Sequence, residues 1–278
     1  MDPIDLSLCG QRIRALSIGG VETCFQLSAF DACLDIGRCP PGASNQGNLL
    51  LTHGHIDHAA GLPYYISMRS MARQPAPRIY CPAPALPAVR MLLEAWTQLQ
   101  ADTELATLTG VGPGEEIPLR GGFARTFHTP HRIESIGYTL YRRRKRLRAH
   151  LVGSSGEELA ARVRAGEDVN EEHTVAEICF PGDTEITVVE QEECVRTAQV
   201  LLLECTFLGP SVRPSDATEG GHVHLDQIAE RAHLFQNEAL VLTHFSRRHS
   251  PEEIRAEVHE KLPPELLART QLLIHGGG

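Results

Sequence analysis

Residues 49–58 read Leu49-Leu50-Leu51-Thr52-His53-Gly54-His55-Ile56-Asp57-His58, and they constrain the structure more than any other part of the chain. The apolar first half has the composition of a buried strand, and a His-x-His-x-Asp-His cluster follows it directly. Imidazole nitrogens and carboxylate oxygens are good zinc ligands, and a loop can present two such side chains to one ion and the next two to a second. The segment therefore predicts a two-metal site whose first ligands are His53, His55, Asp57 and His58.

Further β-type runs alternate with segments of helical spacing along the chain, which predicts a layered α/β structure. The runs predicted to be buried strands are Asn48 to Thr52, Arg78 to Cys81, Ile178 to Phe180, Val200 to Glu204, Ala239 to Thr243 and Leu272 to His275. Two helical stripes are predicted to be core, namely Leu86, Val89, Leu93 and Trp96, and Leu225, Ile228, Ala229, Ala232 and Phe235. The last helix is predicted to start at Pro251, because Ser250 can cap it and Glu253 completes a capping box.

Composition limits the class of protein. The eight cysteines are scattered and no pair is spaced as Cys-x-x-Cys, so we expect reduced core residues rather than disulfides or zinc ligands. The formal charge of −9 argues against general nucleic-acid binding but leaves room for a local basic patch. Asp2 and Asp5 interrupt the amino terminus and no run of eighteen apolar residues occurs, so we expect a cytoplasmic protein without a membrane partner.

The segment 141–175 contains a basic run, Arg142, Arg143, Arg144, Lys145 and Arg146. A Gly-Ser stretch and a helix-type piece, Glu157 to Ala165, follow the run. We predict an inserted arm with a strand-like basic stem and a small helix. Two interpretations remain open from the charges alone: a stem that contacts phosphates, and a solvated surface hairpin.

Polar residues that follow other strands are further ligand candidates. Asp183 and His244 both come after apolar strands, which would place them at the same sheet edge as the first cluster. His131 has a rival in His128, three residues earlier. His222 precedes the helix predicted near Leu225, where it is either an acid catalyst or an ordinary surface histidine.

The His-x-His-x-Asp-His motif resembles the signature of metallo-β-lactamase fold hydrolases, and further blocks narrow the likeness. Six blocks in the same order are similar to ribonuclease Z, the tRNA 3′-end endonuclease family: Gly61-Leu62-Pro63, residues 131–138, Pro181-Gly182-Asp183-Thr184, residues 204–208, Gly221-His222-Val223-His224 and residues 242–246. Residues 20–23 and 30–40 resemble the short plant-type branch of that family. The resemblance covers nearly the whole chain.

The resemblance implies a four-layer αββα metallo-β-lactamase sandwich formed by residues 1–278, with the short arm at 141–175 inserted in it. It implies two Zn²⁺ per subunit, which imidazole and carboxylate sites can exchange for Mn²⁺ or Fe²⁺. His53, His55 and His131 would hold one ion, Asp57, His58 and His244 the other, and Asp183 would bridge them. The spacing of His131 to Ser135-x-Gly137-Tyr138 matches the family and favours it over His128.

The implied activity is zinc-dependent hydrolysis of precursor tRNA, which removes the 3′ trailer and leaves a 3′ hydroxyl. Asp57 would orient the attacking water and take its proton, and His222, oriented by Glu204, would assist the departing 3′ oxygen. A homodimer is implied, in which the arm of one subunit holds the RNA cut by the other. The arm here is short and lacks proline, unlike that of most bacterial members, so its cations would have to supply the grip.

Two other functions are compatible with the motif. One is hydrolysis of a small substrate by the same fold, such as a cyclic phosphodiester, a lactone or an aryl sulfate. The other is RNA binding without turnover.

Overall fold

Two seven-stranded sheets organise the chain, which a computed structural model describes over residues 1–100 and 106–275. The strands of the first sheet lie in chain order: Ile4–Leu8 (β1), Gln11–Ile18 (β2), Glu22–Leu27 (β3), Ala32–Leu34 (β4), Asn48–Leu50 (β5), Arg78–Pro82 (β6) and Thr107–Val111 (β7). The strands of the second do so as well: Glu116–Leu119 (β8), Gly122–His128 (β9), Ile136–Leu147 (β10), Asn170–Phe180 (β11), Val200–Glu204 (β12), Ala239–Thr243 (β13) and Thr270–Leu272 (β14).

Both sheets follow the same plan, although the sequence contains no detectable internal repeat. In each sheet the first four strands pair antiparallel and the remaining pairs are parallel. The carboxyl ends of parallel strands meet at one edge of a sheet, and ligands of α/β proteins collect at such edges. This plan places the loops after β5, β11, β12 and β13 where a shared site can form.

Helices cover the outer faces of the sheets and connect the parallel strands. They are Ile56–Ala59 (α1), Leu62–Met71 (α2), Leu86–Gln100 (α3), Gly156–Arg164 (α4), Val188–Gln191 (α5), Glu193–Thr197 (α6), Pro214–Glu219 (α7), Leu225–Glu230 (α8), Pro251–Lys261 (α9) and Pro264–Leu267 (α10). The predicted cap of α9 is confirmed, because Ser250 and Glu253 form both hydrogen bonds of a capping box. One short helix, α10, follows it.

Three buried apolar clusters define the four layers. The central one lies between the sheets, where the rings of Phe25 and Phe180 are 5.0 Å apart. Alternate side chains of β5 point to opposite sides of the sheet, so Leu50 joins the central cluster while Leu49 and Leu51 pack in an outer cluster with α2 and α3. The third cluster joins the second sheet to α8 and α9. The αββα sandwich expected from the sequence is the observed fold.

Three details of the predicted elements are wrong. Trp96 is 40% exposed, because the buried face of α3 is confined to Val89 and Leu93 and the later turns of the helix are solvated. Helix α8 ends at Glu230, so Phe235 is buried core but lies outside it. Strand β14 ends at Leu272, before most of the segment predicted for it.

The segment 141–175 forms the outer part of the β10–β11 hairpin. Strand pairing continues to Leu147 and Asn170, and α4 stands at the tip. Ser155 caps α4 with a second capping box. The predicted strand-like stem followed by a small helix is therefore present.

Candidate metal centre

The loops after the parallel strands bring the predicted ligands to one edge of the molecule. The segment between β5 and α2 carries the His-x-His-x-Asp-His cluster, and α1 contains Asp57 and His58. Asp183 follows β11, and His244 follows β13 directly. His131 lies in the loop between β9 and β10.

His53, His55, His131 and Asp183 form the first group of candidate ligand atoms. Nδ1 of His55 lies 3.0 Å from Nε2 of His53 and 3.2 Å from Nε2 of His131. His128, the rival of His131, is exposed on β9, so the geometry favours His131.

Asp57, His58 and His244 form the second group. Nε2 of His244 lies 3.4 Å from Nε2 of His58 and 3.3 Å from Oδ2 of Asp57. That Asp57 oxygen also accepts the backbone N–H of Gly20 at 2.8 Å. His244 has a φ of 59°, a left-handed conformation that costs free energy in a residue other than glycine and that persists at functional sites.

Asp183 belongs to the first group but also faces the second, and it is 2% exposed. Its Oδ1 is 3.3 Å from Nε2 of His58 and 3.4 Å from Nε2 of His244, while its Oδ2 faces Nε2 of His53 at 3.8 Å. Burial alone raises the pKa of this carboxyl, but the rings of His244 and His58 outweigh burial and hold its pKa well below the usual value. Each group therefore has one oxygen of an ionised carboxylate facing it.

Gly182 allows this approach of Asp183 to the first cluster. Its φ is +73°, and a Cβ at this position would lie 2.8 Å from the Cβ of Thr52. A larger residue would push Asp183 away from the centre.

The carboxylate of Asp35 fixes the orientation of two histidines. It accepts the Thr52 hydroxyl at 2.9 Å and Nδ1 of His58 at 2.7 Å. Because the Thr52 hydroxyl has one hydrogen and gives it to Asp35, its oxygen accepts from Nδ1 of His53, 2.9 Å away. His53 and His58 therefore present the Nε2 lone pair to the site.

Two other acceptors orient His131 and His244 in the same way, so that Nε2 of each ring faces the site. The carbonyl oxygen of Gly221 accepts Nδ1 of His131 at 2.7 Å. The Thr206 hydroxyl donates to Glu204 at 2.5 Å, so its oxygen accepts Nδ1 of His244 at 2.9 Å. The sequence alone did not predict a role for Asp35 or Thr206. Asp35 could have been found, because it directly follows the buried strand β4 just as His244 directly follows β13.

The ligand atoms of both groups suit a divalent cation. Nε2 of four histidines converges on carboxylate oxygens. Burial lowers the pKa of His58, but Asp183 and Asp35 more than reverse this and raise it well above the usual value, so these oxygens favour a positive charge among the ligand atoms. Ligands about 2.0–2.1 Å from a tetrahedral zinc are separated by about 3.3 Å, and Mn²⁺ and Fe²⁺ also bind such nitrogen and oxygen ligands. Four separations within the two groups, from 3.0 to 3.4 Å, lie close to this value, while His53–Asp183 at 3.8 Å and His58–Asp57 at 3.7 Å are slightly longer.

His222 lies beside these two groups, and its ligand atom is also close enough to those of Asp183 and His244 to form a third possible cluster. Its ring centroid is 5.4 Å from that of His131 and its Nδ1 is 3.9 Å from Asp183. Nδ1 donates to the buried carboxylate of Glu204 at 2.9 Å, as expected for the orienting role predicted for Glu204. Burial lowers the pKa of His222, but Glu204 more than reverses this and raises it to about 9. At neutral pH the ring is a cation with Nε2–H available to a substrate.

A cleft of about 310 Å³ opens onto these groups. Its walls include Asp57, Asp183, His222, His244 and Arg248. A phosphate placed there would contact both candidate ligand groups and the His222 ring.

The basic run lies along β10, away from the cleft. Arg142 and Arg144 donate to the buried carboxylate of Glu177 at 3.0 and 2.6 Å, and Arg146 pairs with Glu171 at 2.8 Å. These three side chains share one face of the strand.

The other two cations of the run are on the opposite face of the strand. The Arg143 guanidinium lies 5.3 Å from the ring centre of Phe123, and Arg143 and Lys145 are both exposed. Of the five predicted phosphate contacts, these two side chains have no carboxylate partner among the ion pairs of the described residues.

The described residues show the state of the cysteines and the length and polarity of the helices. All eight cysteines are free, and Cys24, Cys33, Cys39, Cys81, Cys179 and Cys205 are buried. Over residues 1–100 and 106–275, every helix is too short or too polar to span a bilayer.

Comparison with known proteins gives relatives over the whole chain. Residues 31–245 match a family model described as a beta-lactamase superfamily domain. The chain is 36% identical to the tRNase Z TRZ1 of Arabidopsis thaliana over 270 residues, which is 96% of each protein. It is 30% identical to the ribonuclease Z of Salinispora arenicola, over 84% of this chain and 80% of that one.

Solved structures share the fold. The metallo-beta-lactamase fold protein YhfI of Bacillus subtilis superposes with a TM-score of 0.60 at 16% identity, covering 100% of this chain and 98% of that one. The short form of human tRNase Z superposes with a TM-score of 0.51 at 20% identity, covering 89% and 94%. At this level of identity the superpositions support the architecture and not the chemistry.

Proposed function

This chain belongs to the ribonuclease Z family of the β-lactamase superfamily, and from that membership we propose that it is an endoribonuclease that removes the 3′ trailer of precursor tRNA. The observation that carries the proposal is the position of the His222–Glu204 pair beside two groups of metal-ligand atoms. Hydrolysis of a phosphodiester needs both charge stabilisation at phosphorus and a proton for the departing oxygen. The cleft offers groups for both tasks.

We propose two Zn²⁺ ions per subunit, held by His53, His55 and His131 on one side, by Asp57, His58 and His244 on the other, and by Asp183 between them. When bound, such ions stabilise the charge that develops on phosphate and lower the pKa of water. The nitrogen and oxygen chemistry of the ligand set also admits Mn²⁺ or Fe²⁺.

The side chains around the phosphate would divide the work. Asp57, held in place by the Gly20 N–H, orients the attacking water and accepts its proton. The bond between phosphorus and the 3′ oxygen then breaks, and Nε2 of His222 gives its proton to that oxygen. Glu204 keeps the other ring nitrogen engaged, so that the proton on Nε2 faces the substrate. The tRNA keeps a 3′ hydroxyl and the trailer keeps the phosphate.

Several finer features belong to the same proposal. The enzyme would act as a homodimer in which the arm of one subunit contacts the tRNA cut by its partner. Arg143 and Lys145, which have no carboxylate partner among the described residues, are the arm cations that we expect to contact phosphates. Arg146, on the opposite face of β10, is a further candidate. The cytoplasm is the proposed compartment, and eight free cysteines suit reducing conditions.

The deciding experiment is incubation of the purified protein with a precursor tRNA, with and without a chelator, followed by mapping of both new ends. We expect one cut at the 3′ side of the tRNA, a 3′ hydroxyl on the tRNA, a 5′ phosphate on the trailer and loss of cleavage with chelator. Hydrolysis of bis(p-nitrophenyl) phosphate without cleavage of the precursor would favour a small-substrate enzyme. RNA binding without any hydrolysis would indicate a binding protein.

A further inference from the structure

A second cavity adjoins the metal cleft. Its volume is about 600 Å³, within the range of about 300–1,000 Å³ that ligand sites span. Its walls are formed by Ile18 and Val21 at the end of the β2–β3 hairpin, by residues 245–251 after β13, and by residues 273–275 after β14.

The two cavities share a wall. Ser246 and Arg248 line both of them. The backbone that separates them is fixed, because the Gly19 N–H donates to the carbonyl oxygen of Phe245 at 3.1 Å. The next residue, Gly20, contacts Asp57. The second cavity therefore lies next to the Asp57 side of the metal cleft.

Cations dominate this wall although the protein as a whole carries a formal charge of −9. Arg247 and Arg248 are exposed, and no carboxylate of the described residues lies within ion-pair distance of either guanidinium. Arg38 also lines the cavity, but Glu22 neutralises it at 2.9 Å. Glu253 is already engaged, since its carboxylate accepts the Ser250 N–H at 2.7 Å.

The remaining surface suits a base more than a second phosphate. Ile18 and Val21, which are partly exposed, supply apolar area, while Phe245 and Leu273 also line the cavity but are buried. Nε2 of His249 is buried and has no hydrogen-bond partner among the described residues. Because that nitrogen is buried, a polar ligand edge would reach it only after the ring turned toward the cavity.

We propose that this cavity binds the first nucleotides of the 3′ trailer, with Arg247 and Arg248 on their phosphates and a base against the apolar wall. The inference rests on the proposed function, in which His222 faces the departing 3′ oxygen of the tRNA. His222 lines the metal cleft but is absent from the described lining of the second cavity. In an in-line displacement the attacking water lies opposite the 3′ oxygen, and the trailer extends sideways from the phosphorus through its 5′ oxygen, so a cavity beside the cleft that His222 does not line can receive it. Trailer binding would make these arginines specificity-determining residues.

The test compares precursors that differ only in trailer length, from one to six nucleotides. In the wild-type protein we expect kcat/KM to rise with trailer length. In the double variant Arg247→Gln/Arg248→Gln the rise should be lost, with a deficit of about tenfold per phosphate contact on the longest trailer. The ratio of kcat/KM between long and short trailers is taken within one variant. Any effect of Arg248 on the metal cleft itself changes both values equally and cancels in this ratio. Arg12→Gln/Arg90→Gln, which changes two exposed arginines on β2 and α3, has the same net charge and should keep the rise.

A binding measurement separates this inference from the activity. A 5′-phosphorylated RNA tetranucleotide, as a trailer mimic, should bind the wild-type protein and the charge-matched control more tightly than the double variant, and mature tRNA should bind all three alike. If the double variant loses the same factor on every trailer length, or binds mature tRNA as poorly as the mimic, the arginines hold the retained tRNA and the inference is wrong. If the wild-type protein binds the mimic through these arginines but cuts no precursor, the proposed function fails and the anionic-oligonucleotide site stands.

Discussion

The carboxylate of Asp35 lies 2.7 Å from Nδ1 of His58, and both side chains are fully buried. This contact fixes Nδ1 of His58 as the nitrogen that donates to Asp35, which leaves Nε2 facing the candidate metal centre. The sequence motif identifies His58 as a candidate ligand but does not show which nitrogen would bind. We predict that Asp35→Asn lowers metal affinity by about 10–100-fold, because the amide carries no charge to support the imidazole. Competition with a chromophoric chelator measures the affinity. Asp31→Asn, which alters a carboxylate that caps the turn before β5, is the control and should bind metal normally.

Asp183→Ala should lose activity and at least one metal ion per subunit. Its two oxygens face the two groups, and a bridging carboxylate reduces the repulsion between cations about 3.5–4 Å apart. Elemental analysis of the purified variant counts the ions. Two ions at full occupancy would show that Asp183 is not the bridge.

His222→Ala should keep both ions and cleave precursor tRNA more slowly, by about 10²–10⁴-fold if the ring is the general acid. A substrate with a good leaving group, such as bis(p-nitrophenyl) phosphate, should lose much less because its leaving oxygen needs no proton. Parallel rate measurements on both substrates give the answer. Equal losses would assign His222 to positioning.

Glu204→Gln should change the pH dependence of kcat/KM. The acid form of His222 is the active one, so with a pKa of about 9 activity is retained through neutral pH and falls as pH rises past 9. Without the carboxylate, burial lowers that pKa, and the decline should begin at lower pH. Rate profiles of the two proteins, on the precursor and at saturating metal, make the comparison. A basic limb that coincides in both would rule out Glu204 as the group that sets the pKa.

Arg143→Gln/Lys145→Gln should weaken tRNA binding and reduce its salt dependence. Each lost phosphate contact removes about 0.7–0.9 from the slope of log affinity against log salt, so the double variant should lose between one and two. Titrations over a salt series measure the slope. A slope equal to that of the wild-type protein would make this face of the stem a solvated surface.

Arg142→Gln/Arg144→Gln is the matched comparison, since it removes the same charge from the other face of the same strand. It should leave the Glu177 carboxylate buried without its ion pairs and should lower the melting temperature. The first pair of changes should leave the melting temperature near that of the wild-type protein. The two faces of β10 would then have separate tasks, RNA contact and stability.

The residues of the candidate metal centre could be proposed from the sequence because several of them follow strands. A polar side chain directly after an apolar run, as with Asp183 or His244, marks the carboxyl end of a parallel strand, and these ends converge in space. The sandwich could be inferred for the same reason, from strand and helix alternation supported by the family resemblance. Trp96 shows the limit of periodicity, since helical spacing cannot tell where a helix leaves the surface on which it packs.

Side-chain partners far apart in the chain were not predictable. Glu177 is 35 residues beyond Arg142, and only the register of the β10–β11 pair brings them together. The run of five cations therefore looked uniform in sequence, whereas the strand divides it into paired and unpaired faces. Thr206 is a similar case, because a hydroxyl between Glu204 and His244 has no signature of its own.

The proposed ligands come from both halves of the sandwich: the loop after β5 carries His53, His55, Asp57 and His58, and loops of the second sheet carry His131, Asp183 and His244. Metal affinity is thus thermodynamically linked to the docking of one sheet on the other, so chelation should weaken the whole sandwich and not one loop. The linkage also applies to a partly folded chain. A chain that has not yet folded β13 lacks His244 and therefore one of the proposed ligands, so we expect it to bind metal less tightly than the complete sandwich does.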